Sequence, residues 1–559
     1  MILSALHFVF TVVLVLCIFN LMIIVHELGH FLAAKWRGLV AEEFGVWFGK
    51  PIWRKKIGGV WYSLGTIPFG GFVKLPQLAA MDGIEGKSEN APAELPYASP
   101  LNKIIVAFAG PLFSFLLAAT FAVIVWIAGR PVSESEKTTT IGYVEPKMPA
   151  AEAGLKAGDK ILEIDGHKIA RWGGMGSDSI TWRIVSSEGE TLDMQVERDG
   201  KVLTIKPKPE VPETKIWERR AQRQIGISPK ETPVIGTVKP GTPADKAGFK
   251  PGDQLLALDG QPILCFLDIE ATVEKHPGEP AHFTVKRGDK EHGYQTFEAP
   301  PISALGARVG DVLKDGPAAK AGVKPNDLVV AINDEPYVTV EKFTKLIKAN
   351  GEKPLTMNIV RDGQPLTLTM TPIPPDGKKD PLVGLQWGDD YGWEFDPEGI
   401  TNLVYPGPAE QLEKSALAIY EMIRAISSRK SNISIQHMSG PVMMVHAYYS
   451  FFTFFQAEYG WRYAIWFSVV LNVNLAILNL LPIPPLDGSH ITLSIIEAIR
   501  RRPVSGHIVE YVQTACTVAI IGFMLYIVFF DVQDLPFFSK ESGVKFSGKP
   551  TTPAAATNK

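Results

Sequence analysis

An apolar run leads directly into a pair of histidines. Met1 to Val25 is interrupted only by His7, Asn20 and small hydroxyl residues, and His26-Glu27-Leu28-Gly29-His30 follows at once. A run of that length can cross a bilayer as a helix. Ionisable side chains in such a helix are costly, so their presence points to function. His26 and His30 stand at i and i+4, on one helix face, where both imidazoles can reach one zinc ion. Glu27 between them can act as general base on a zinc-bound water. No basic flank or small-residue cleavage site accompanies the run, so it reads as a retained transmembrane helix and not as a signal peptide.

Three further apolar segments are long enough to span: about Ile104 to Ala128, Tyr463 to Leu481 and Tyr511 to Phe530. Pro441 to Phe455 is weaker and reads as an interfacial or re-entrant segment. The loop after the first span carries Lys35, Arg37, Lys50, Arg54, Lys55, Lys56, Lys74, Lys87 and Lys103. The loop before the fourth carries Arg500, Arg501 and Arg502. The positive-inside rule places both loops in the cytoplasm and the large middle region outside. His26 precedes Lys35 by nine positions, so it sits roughly 13 Å from the cytoplasmic edge.

A chain of 559 residues is too long for one core. Its net charge of -3 argues against a nucleic-acid partner. Cys17, Cys265 and Cys516 form no disulfide framework. In the cytoplasmic loop, residues 58 to 74 alternate apolar positions with glycines and predict a β-hairpin. It is either a short surface sheet or an edge strand that takes an extended substrate by strand addition.

The middle region is repetitive. Pro149 to Asp159, Pro243 to Asp253 and Pro317 to Asp327 are three copies of one pattern. Each opens a short helix with Pro, closes it with Gly and runs into an apolar strand that ends in a turn. The pattern resembles PDZ domains. Such domains bind peptide segments by strand addition, and a purely steric spacer is the alternative. Residues 409 to 426 have apolar positions at helical spacing, and 548 to 559 read as a disordered tail.

A catalytic zinc site usually has three protein ligands. Asn479-Leu480-Leu481-Pro482-Ile483-Pro484-Pro485-Leu486-Asp487-Gly488 ends the third span on the histidines' side of the membrane. There Asp487 is expected in a tight turn, as the candidate third ligand. Together, the His26 motif and this Asn-to-Asp-Gly motif resemble the site-2 protease family of intramembrane zinc proteases. With the PDZ-like insert they resemble its bacterial members of the regulator of sigma-E protease type.

The resemblance implies one zinc ion held by His26, His30 and Asp487, with Glu27 as the base. It also implies substrate engagement by Asn474, Asn479 and the Gly70-Gly71-Phe72 hairpin, and it matches Gly110-Pro111 in the second span. The chain departs from the family at Ser114, where Asn is usual, at Ser489, where Gly is usual, and in its third PDZ-like copy.

The expected fold is therefore a polytopic α-helical membrane protein of about four spans with three inserted, mainly β, PDZ-like domains. Its expected divisions are an N-terminal membrane part (1–130) and PDZ-like units at 131–232, 233–303 and 304–375. A linker with interfacial helices (376–460), a C-terminal membrane part (461–531) and the tail (532–559) follow. The expected activity is zinc-dependent cleavage of single-span membrane proteins, of the anti-sigma-factor or remnant-signal-peptide type, in a bacterial inner membrane. The active site would face the cytoplasm and the PDZ-like domains the periplasm. A scaffold that gathers outer proteins is the rival from another class; a metal transporter would need polar groups through the full membrane depth.

Overall fold

The computed structural model describes residues 2–81 and 98–535, apart from 215–216, 276–279, 290–292, 304–306, 334, 337–339, 362–363, 376–379, 388–390, 397, 454–456, 503 and 505. The tail expected from 532 is corrected at its start, since the last helix runs to Asp534; residues 536–559 lie outside the described residues.

Among the described residues, four helices are long and apolar enough to cross a membrane. They belong to α1 (Ile2–Arg37), α2 (Pro100–Ala128), α5 (Ala457–Asn479) and α7 (Gly506–Asp534). α2 begins where Ser99 accepts from the Asn102 N–H and Pro100 takes the first helical position. α1 and α2 approach closely through glycine. A Cβ on Gly29 would overlap the Ala109 carbonyl, and one on Gly110 would overlap the His30 ring. Small residues at such a crossing let the backbones meet.

Residues 409 to 426 fall in α3 (Pro408–Ser427), where Gln411 donates to the Ala122 carbonyl of α2 at 2.9 Å. The weaker apolar stretch forms α4 (Pro441–Thr453), packed against α1, α5 and α7 with Tyr448 fully buried. At about 20 Å it is too short to cross the hydrocarbon.

Asp487 is not in a turn. It is the first residue of α6 (Asp487–Arg500), whose N-cap is Leu486. The prolines end α5 as expected, but the chain then re-forms a helix at once. Ser489, His490 and Ser494 on its inner face are buried.

The single hairpin expected over 58–74 is corrected to part of a four-stranded sheet. β1 (Glu43–Phe48), β2 (Trp53–Ile57), β3 (Val60–Leu64) and β4 (Ile67–Lys74) lie in the order β2-β3-β1-β4. β2 and β3 form a hairpin about Gly58-Gly59, both at positive φ. β1 enters between β3 and β4, parallel to the first and antiparallel to the second. Gly45 of β1 makes room for the Phe72 ring, and Phe44 packs edge-on to Phe31 of α1 at 5.3 Å. β4 is left at the sheet edge, beside α1.

The region inserted between α2 and α3 is nested. In the first repeat, strand Ile141–Val144 pairs with Ile227–Pro229. In the third, Ala307–Val312 pairs with Leu385–Trp387. In the second, Ile235–Val238 pairs with Trp393–Phe395, which lies beyond the third repeat. The second unit is thus not the contiguous 233–303, and the expected linker from 376 contains strands that complete two units. The reason is apolar. Tyr391 and Trp393 fill the second unit's core against Phe249 and Phe283. A neck closes the insert where Arg130–Ser133 pairs with Thr401–Val404.

Each repeat is stapled alike. Asp159, Asp253 and Asp327 are 0 to 1 % exposed and receive paired N–H groups from Arg198, Arg287 and Arg361 at 2.6 to 2.7 Å. Each aspartate also accepts the N–H three residues before it, from Lys156, Lys250 or Lys324. A buried carboxylate requires such partners.

Candidate metal centre

α1 and α6 bring His26, His30 and Asp487 together. All three are buried, and their ligand atoms lie within 4.8 Å of one another. His26 Nε2 is 3.1 Å from Asp487 Oδ2, and His30 Nε2 is 3.2 Å from Asp487 Oδ1. The two Nε2 atoms are 3.3 Å apart.

The outer nitrogens are fixed by α2. His30 Nδ1 donates to the Val106 carbonyl at 2.8 Å, which can only accept. Its Nε2 in the neutral ring is therefore a lone pair. His26 Nδ1 meets the Ser114 hydroxyl at 2.9 Å. Orientation of a ligating imidazole through its second nitrogen is the usual support of a metal site. Asp487 Oδ2, although buried, has no hydrogen-bond partner among the described residues. A carboxylate and two imidazole nitrogens converging at 3.1 to 3.3 Å fit a divalent cation.

Glu27 lies beside this cluster. With His30, Asp487, His490, Val73 and Ala107 it lines a cavity of about 20 Å³. That is enough for a water molecule among polar partners. β4 passes alongside: a Cβ on Gly71 would stand 3.5 Å from Glu27 Cγ. Gly70 has φ +88°, and any side chain there would strike the Phe48 ring. Phe72 stacks on Phe48 at 6.3 Å. Asn479 Nδ2 comes within 3.4 Å of His26 Nε2. Asn474 sits further back on α5 with a buried carbonyl oxygen lacking a partner among the described residues.

Sequence reasoning gave three contributors no role at the metal centre. Ser114 and Gly110 are four apart on α2 and share the face that meets the histidines. That spacing, in an otherwise apolar helix, was the available signal. His490, 7 % exposed, follows Asp487 by three positions and lines the same cavity.

The model of Peptidase family M50 matches residues 13–523. The chain belongs to the M50 peptidases, the site-2 protease family. A Neisseria meningitidis protein named as a zinc metalloprotease is 27 % identical over 528 residues, covering 92 % of this chain and 97 % of its own. Protease RseP of Yersinia pestis is 26 % identical over 514 residues, covering 88 % of this chain and 91 % of its own. Regulator of sigma-E protease RseP of Escherichia coli is 25 % identical over 513 residues, with the same coverages. This M50 member is accordingly a multi-pass inner-membrane metalloendopeptidase of the zinc-dependent class.

Proposed function

We propose that this M50 peptidase cuts the transmembrane segment of single-span membrane proteins, with His26, His30 and Asp487 holding one zinc ion and Glu27 as the base. The convergence of two oriented imidazoles and a buried carboxylate at 3.1 to 3.3 Å carries the reading. When bound, zinc supplies Lewis-acid polarisation and a water of lowered pKa. Glu27 takes a proton from the attacking water and returns it to the leaving amine. Asn479 stands where it can hold a substrate carbonyl beside His26, and Asn474 offers a free acceptor on the same helix.

A helical substrate shields its own backbone, so it must unwind before its carbonyl is reached. The open edge of β4, at Gly70, Gly71 and Phe72, offers a strand partner to the unwound segment. The basic loops support an orientation with this site toward the cytoplasm and the PDZ-like units outside. Anti-sigma factors or remnant signal peptides, already shortened on the outer side, are the substrate class the family supports. In the first unit a groove of about 530 Å³, lined by Ile180, Ile184, Ile225 and Ile227, supports peptide binding.

The test is cleavage of a tagged single-span substrate by purified wild type and Glu27→Gln, with zinc measured on both. Wild type cuts, the variant does not, and both hold equal zinc. Turnover by the variant would remove Glu27 from its role. Zinc in neither protein would bring forward a scaffold.

A further inference from the structure

Asn20 lies within the first span, where hydrocarbon gives an amide no partner. It is 7 % exposed. Its Nδ2 donates to the Leu16 carbonyl of α1 at 2.7 Å and to the Pro68 carbonyl of β4 at 3.2 Å. Both amide hydrogens are thereby used, and the side chain is fixed. Its Oδ1 is buried and has no partner among the described residues.

The donor half has a structural explanation. Pro68 has no N–H, and its carbonyl needs a donor at this depth. Asn20 supplies one. The acceptor half has no such explanation, and a buried carbonyl left unpaired costs roughly 1–3 kcal/mol.

Its place indicates what would pair with it. Asn20, Ile23 and Glu27, at i, i+3 and i+7, share one face of α1. β4 runs along that face, with Pro68 at Asn20 and Gly71 at Ile23 and Glu27. Seven helical residues rise about 10 Å, and three strand residues cover about 10 Å. Strand and helix therefore keep pace. Between Gly71, opposite Val46, and Ile67, opposite Phe48, the register jumps, and residues 68 to 70 of β4 have no rung to β1.

We infer that Asn20 is a substrate-positioning residue. Its Oδ1 accepts one backbone N–H of the extended substrate segment beside β4, about three residues from the scissile bond. The inference rests on the reading of Glu27 as the base. Asn20 acts by fixing the register of the strand and touches no reacting atom.

The test uses the full chain in detergent and semisynthetic single-span substrates. In each substrate one backbone N–H near the cut is replaced by an ester oxygen. With wild type, one position about three residues from the cut lowers kcat/KM by up to about tenfold, through KM. With Asn20→Leu, kcat/KM falls similarly on the all-amide substrate, and the same ester has no further effect. Zinc content stays equal. If Asn20→Leu loses zinc, Asn20→Ser replaces it, being too short to reach the strand. Ester effects that are the same in wild type and variant at every position would overturn the inference and leave Asn20 only as the partner of Pro68. Zinc-loaded wild type that cuts no substrate would remove the protease reading, and this inference with it.

Discussion

His26 and Ser114 are 88 positions apart, and their 2.9 Å contact shows where sequence reading ends at the residue scale. His26, Glu27 and His30 were legible because helical periodicity alone puts the histidines on one face. Asp487 was legible because the prolines end the third span just before it, on the side expected for the histidines, although it opens a helix and not the expected turn. Ser114 registered only as a departure from the family's Asn, since nothing local says which face of α2 meets α1. The structure makes it the partner of His26 Nδ1. Ser114→Ala should therefore lower zinc affinity about 10–100-fold while leaving the fold intact. Competition with a chromogenic chelator reads this directly. Affinity equal to wild type would mean that Ser114 does not orient His26.

At the scale of elements, the repeats were visible because Pro, Gly and Asp recur at fixed offsets. Their staples were half visible: the aspartates belong to the repeated pattern, but the arginines follow 34 to 39 residues later, across a strand pairing. The nesting was not visible, because a three-residue strand such as Trp393–Phe395 has no periodicity of its own. It joins the second unit by filling that unit's core. Trp393→Ala should destabilise the second unit by about 3–5 kcal/mol, although it lies beyond the third repeat. Cys265 reports on this. Burial, with Asp268 nearby, pushes its thiol up to about 11. A raised thiol pKa leaves the protonated form dominant below it, so at pH 8 only about one in a thousand is thiolate. Alkylation of native Cys265 at pH 8 should be slow and should quicken sharply in Trp393→Ala. An unchanged rate would mean that the second unit is complete without the late strand.

For the whole molecule, two of the links between the inserted region and the membrane part stand out among the described residues. One is the neck, where Thr401 stands opposite Ser133. The other is a clamp around Arg219. This side chain pairs with Asp531 and Asp534 near the end of α7 and donates to the carbonyls of Gln436 and Met438. Asp531, fully buried, also accepts the N–H groups of Gly440 and Met443 at the start of α4. The inserted units are thus fastened to the end of α7 and to the start of α4, which packs against both α1 and α7. Four apolar spans and a polar insert could be read from composition, but a clamp between residues more than 200 positions apart could not.

If the inserted units act as a size filter, their removal should widen the substrate range. The neck shows where to cut: Ser133 and Thr401 face each other in antiparallel register, so an Asn-Gly pair joining them makes a two-residue hairpin. A cut at 141 and 371 would instead strand the pairing segments at 385–387 and 393–395 without their units. The neck deletion should keep its zinc and cleave a single-span substrate with its outer domain intact, which the full chain leaves uncut. Gel assays of both proteins on long and shortened substrates decide it. A zinc-loaded deletion that still requires the shortened substrate would place the length selection in the membrane part, at β4 and α4, and leave the inserted units with peptide binding alone.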